Sequence, residues 1–118
     1  MKIKFDKKFL ELGVLKKVSG GKRIKGLMFK KPEKAEALLF EFDKPVKLKI
    51  HSCFVFFPFL AIWLDDKNRV VCIKIVKPFR FSVSPKTPFC KLIEIPLTRN
   101  YNSIVGIFLS QFSSISGK

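Results

Sequence analysis

Acidic residues are scarce in this chain: nine Asp and Glu stand against 24 Lys and Arg, a formal net charge of +15. That shortage excludes a surface neutralised by its own ion pairs. There is a single histidine, so a zinc site built on several imidazoles is excluded too. The three cysteines, Cys53, Cys72 and Cys90, form no CxxC pair and are odd in number. They read as reduced core thiols rather than a disulfide framework, with one disulfide plus a free thiol as the alternative. No Walker loop or dinucleotide glycine pattern occurs, and Gly20-Gly21 alone is a turn. No cofactor is expected. The longest apolar run, the twelve residues from Cys53 to Leu64, is also too short for the roughly 20 residues of a membrane-spanning helix.

What is present is apolar and rich in phenylalanine. Hydrophobic residues make up 47 % of the 118, and 14 Phe account for nearly all the aromatics. This is too apolar for a disordered polycation. From Cys53 to Leu64 all twelve residues are apolar, with Pro58 near the centre. A central proline argues against one helix, so two buried strands, or one strand bent at Pro58, are expected in a β-rich core. The length suits one domain over residues 1–118. Charges break up the segment Met1 to Asp6, so no secretory leader is read there and a cytoplasmic location is expected.

The order of elements follows from periodicity. Met1 to Phe5 alternates as a half-buried strand, and Phe9 to Val18 is strand-like with a break or bulge at Gly13. Ser19-Gly20-Gly21 makes a turn. Pro32, followed by Glu33 and Glu36, opens a short helix. Leu38 to Phe42 is strand-like, Asp43-Lys44-Pro45 reads as a turn, and Val46 to Ile50 alternates again. Asp65 to Asn68 is a hairpin turn leading into a strand from Arg69 to Val76. Two more strands are expected at Phe79 to Val83 and Lys91 to Ile95, and a last one within Ile104 to Phe112, before a frayed tail at 113–118. The expected fold is mainly β: a sandwich or jelly-roll-like domain, or a partly closed barrel, of about eight short strands with one short α-helix.

Four segments carry a resemblance. Arg23-Ile24-Lys25-Gly26-Leu27-Met28-Phe29-Lys30 is similar to the R-x-x-G-L-M-[FY]-[RK] signature of the domain-of-unknown-function family 192. Ile50 to Pro58 resembles that family's second motif in its archaeal-type form. Lys77-Pro78-Phe79-Arg80-Phe81 looks like its P-W-R segment, and Ile93-Glu94-Ile95-Pro96 like its E-[LVI]-P ending. Together they span roughly Phe9 to Gly106 in the family's order. The resemblance implies a small β-sandwich or jelly-roll-like domain and no assigned activity. Two departures stand out: Leu60 and Ile107 occupy positions where relatives usually carry acids. If those acids line a polar site, part of that site is missing here.

The candidate site residues each have two readings. Arg23, with Gly26 and Met28, is placed to hold an anion; equally, Arg23 bonds carbonyls or a carboxylate such as Glu94 while Met28 fills the core. His51 and Cys53 share a strand face, but same-face neighbours lie roughly 7 Å apart, too far for a catalytic dyad. His51 is therefore placed at a pocket rim or in a satisfied core position. Adjacent Asp65 and Asp66 read as turn acids, and no metal site is assigned.

Lys22, Arg23, Lys25, Lys30 and Lys31 cluster around the first motif. Residues 1–34 hold 12 basic residues against three acids, and after Asn68 the only acid is Glu94. With Arg80, Phe29, Phe79 and Phe81 the cluster forms a candidate patch for a nucleic acid or another polyanion. Three functions follow: a non-enzymatic binding module for an anionic partner, a small-ligand pocket or weak enzyme around Arg23, His51, Arg80 and Glu94, or an accessory domain whose charge serves solubility. The sequence leans away from an enzyme and leaves the oligomeric state open.

Overall fold

The computed structural model describes residues 2–5, 8–11, 15–18, 35–47, 55–79, 83–98 and 106. Seven strands appear in chain order: β1 (Lys2–Phe5), β2 (Lys8–Glu11), β3 (Lys16–Val18), β4 (Leu38–Val46), β5 (Phe59–Leu64), β6 (Val70–Val76) and β7 (Phe89–Pro96). The chain is mainly β, as expected. The main sheet has the order β3-β4-β7-β5-β6 and is open; β3 runs parallel to β4 and the other pairs are antiparallel. β1 and β2 form a separate hairpin, tied to the main sheet by a bridge between Lys4 and Arg69 and by the Lys4 amide donating to the Asn68 carbonyl at 2.8 Å.

Side-chain alternation gives the main sheet two different faces. One is aliphatic: Leu60, Ile62 and Leu64 of β5 meet Ile73, Ile93, Ile95 and Ala37, with Ile3 of β1 inserted among them. The other is aromatic: Phe59, Ala61 and Trp63 meet Phe40, Phe57, Leu92 and Phe89. Phe42 and Trp63 each pack in a T-shaped arrangement with Phe89, at centroid distances of 5.8 and 6.4 Å. All six residues of β5 are buried, as a strand covered on both faces requires. Each large side chain so buried contributes about 1.5–3 kcal/mol.

Four local expectations need correction. Pro58 does not bend a strand; β5 starts after it, and the Pro58 carbonyl accepts from the Leu97 amide at 3.0 Å. Asp43-Lys44-Pro45 is no turn either. β4 runs through it, but residues 42–45 lie opposite Cys90 alone, a bulge in which a proline without an N–H costs no ladder bond. Phe79 lies in a turn rather than a strand, with φ 61°. Gly106, the one described residue of 104–112, has helical rather than extended backbone. The expected helix lies largely outside the described residues, and Ala35 to Ala37 are not helical.

The hairpin turn after β5 matches its sequence. Asp65 Oδ1 accepts from the amides of Lys67 at 2.9 Å and Arg69 at 2.8 Å, while Oδ2 accepts from Arg69 Nε at 2.7 Å. Asn68 takes the left-handed conformation, φ 60°, that asparagine tolerates. Val71 is the extra residue where β6 bulges against β5, and it turns outward. Among the described residues no helix is long and apolar enough to cross a membrane.

Candidate functional site: a buried acid and an exposed aromatic pair

Of the sequence-predicted site and patch residues, Glu94 and Phe79 are described. Arg23, Gly26, Met28, His51 and Arg80 lie outside the described residues, as do Lys22, Lys25, Lys30 and Lys31. Glu94 sits on the central strand β7, opposite Leu38 on one side and Ala61 on the other. That register puts it on the aromatic face, where it is 6 % exposed. Burial pushes its carboxyl from the ordinary 4.5 up to about 8, so it is protonated at neutral pH. A protonated carboxyl donates one hydrogen bond as well as accepting others.

Lys74 occupies the same row, beyond Ala61 on β6. Two strand spacings separate it from Glu94, roughly 10 Å. Its ammonium donates to the Ser84 carbonyl at 2.9 Å and lies 6.0 Å from the centre of the Trp63 ring. Trp63 itself is diagonal to Glu94 across the β5–β7 pair. Among the described residues, two other buried polar atoms, Trp63 Nε1 and Thr98 Oγ1, have no hydrogen-bond partner.

Leu60, where the resemblance implies an acid in relatives, is fully buried in the aliphatic cluster. Of the thiols, Cys72 is half-buried and Cys90 buried, both free; desolvation pushes the Cys72 thiol up despite the Lys74 charge and a hydrogen bond from the Ile73 amide, which makes it a poor nucleophile. Among the described residues no group of three His, Cys, Asp or Glu is placed to hold a metal ion.

On the outside, alternation singles out a residue that the apolar run had concealed. Val55 and Phe57 are buried, whereas Phe56 between them is 58 % exposed. It packs edge-on against Phe79, itself 50 % exposed, at a centroid distance of 5.6 Å. Continuing the β5–β6 register outward from Phe59 opposite Val76 brings Phe56 opposite Phe79. Exposed Lys74, Ile75 and Lys77 lead into this pair along the chain.

An open, mainly β sheet with a buried, uncharged acid and a cationic exterior defines a small basic β-domain protein. The chain belongs to the domain-of-unknown-function family 192, described as Uncharacterized ACR, whose profile matches residues 4–100. It is 36 % identical over 75 residues to a UPF0127 protein of Pyrococcus horikoshii and 32 % identical over 75 residues to one of Pyrococcus furiosus. Each match covers 64 % of this chain and 64 % of the relative, just under two thirds of its length. Among solved structures it resembles a protein of unknown function from Novosphingobium aromaticivorans, with a TM-score of 0.58 and 21 % identity over 75 % of this chain and 64 % of that one. That likeness concerns the fold.

Proposed function

We propose that this protein is a non-enzymatic binding module for an anionic partner. The observation that carries the reading is the charge balance: pairing every acid would still leave fifteen cations unneutralised. Ion pairs such as Lys17–Glu41 at 3.0 Å and Arg69–Asp65 at 2.7 Å already engage two of the nine acids. Between Asn68 and Glu94 the chain has six basic residues and no acid. Such a surface attracts polyanions over about 8 Å at physiological salt. Lys22, Arg23, Lys25, Lys30, Lys31 and Arg80 are the proposed contacts.

Fluorescence anisotropy with single-stranded RNA and duplex DNA, titrated from about 50 to 200 mM salt, tests this reading. Binding that weakens at least tenfold over that range is expected, and replacing Lys22, Arg23, Lys25 or Arg80 should lower the salt slope by about one unit each. Absence of binding at low salt overturns it. A second reading, a small-ligand pocket around Arg23, His51, Arg80 and Glu94, draws support from the buried uncharged carboxyl of Glu94, since such groups cluster at functional sites. A small-molecule screen read by thermal shift, repeated on Glu94→Gln, separates the two.

A further inference from the structure

Phe79 holds a backbone conformation that suits glycine and is sterically costly for a bulky side chain: its φ is 61°. Its ring gains little burial in return, remaining half-exposed. The ring it touches, Phe56, is more exposed still, and both stand apart from the two core clusters. The edge-on arrangement, 75° between the ring planes, leaves ring faces open to solvent. Strain of this kind persists where the surrounding structure imposes it, and it concentrates at ligand contacts.

The chain through Phe79 is basic: Lys74, Lys77, Arg80 and Lys86 flank it in sequence, and no acid lies between Asn68 and Glu94. Open aromatic faces in a cationic setting match one kind of polyanion best, one that alternates phosphates with flat, unpaired rings. Paired bases present only their edges, so a duplex offers nothing for these rings to stack on.

We propose that Phe56 and Phe79 form a stacking platform for the unpaired bases of a single-stranded nucleic acid, with the neighbouring lysines meeting its phosphates. This rests on the anionic-partner reading and specifies its ligand. Stacking is tolerant of sequence, so the platform discriminates single from double strands rather than one base from another.

The test uses the whole chain and labelled oligothymidylate, with an abasic strand of equal length, inorganic polyphosphate and phosphatidylcholine vesicles as comparison ligands. Phe79→Gly and Phe56→Ala should each weaken oligothymidylate binding about tenfold. Polyphosphate and abasic-strand binding should be unchanged. Because glycine relieves the strained φ, Phe79→Gly should melt no lower than the parent, which separates lost stacking from lost folding.

Several results overturn the proposal. If the abasic strand and polyphosphate bind as tightly as oligothymidylate, and both variants bind normally, the stacking platform falls while the anionic reading stands. If no anion binds at low salt, both fall. If the variants lose vesicle binding alone, the aromatic pair is a lipid contact instead.

Discussion

A carboxyl held uncharged between Leu38 and Ala61 makes the stability of this protein depend on pH. Below about pH 4.5 Glu94 is protonated folded or unfolded, and no penalty arises. From there to about pH 8 the unfolded chain ionises while the folded one keeps its proton, so stability falls as pH rises. Glu94→Gln removes this contribution. Urea unfolding midpoints across that window should fall more steeply for the parent than for the variant, and parallel curves would show that Glu94 ionises freely in the fold. Glu94 stood out in the sequence as part of an E-[LVI]-P ending, but its burial was not legible there. Only the register, which flanks it with β4 and β5, turns an acid inward. Phe56 was concealed for the opposite reason: within a run of twelve apolar residues, nothing local marks it as facing water. The positive φ of Phe79 is likewise invisible to propensity, since it runs against what phenylalanine prefers.

At the scale of elements, the β5–β6 hairpin was the most legible part, because apolar strands flanking Asp65 to Asn68 leave little choice of register. Asp65 fastens that turn through two amides and the Arg69 guanidinium. Burial alone would push its carboxyl up, but the hydrogen bonds from Arg69 and Lys67 outweigh it and hold the pKa below the ordinary carboxylate value. The stability it contributes is therefore present at neutral pH and lost as pH falls through that lowered value. Asp65→Ala should destabilise by about 1–2 kcal/mol at neutral pH, read from chemical denaturation, with a smaller difference in strong acid. Equal stability of the two proteins at neutral pH would deny the turn that role. β4 was less legible. Asp43, Lys44 and Pro45 are good turn formers, but pairing with β7 carries the strand through them as an exposed bulge. Tertiary pairing overrode local preference there.

For the whole molecule, stability should be graded outward from the centre of the sheet. β5 and β7 are paired on both sides and buried, whereas among the described residues the β1–β2 hairpin joins the main sheet through the Lys4–Arg69 bridge and the side chain of Ile3. Native-state hydrogen exchange should find the slowest amides in β5 and β7 and faster exchange in β1 and β2. Equal protection throughout would mean that the two sheets open as one unit. The mainly β class was plain from composition and turns. The strand order was not, because β7 follows β6 in the chain yet lies between β4 and β5. That placement has a consequence for the protein as it leaves the ribosome. β4 reaches β5 only through β7, so the sheet is incomplete until residue 96 has emerged. Until then the nascent chain presents the β5–β6 hairpin with a bare inner edge and the aromatic side of Trp63 uncovered. Those are the features through which unfinished chains stick to one another and by which chaperones find them.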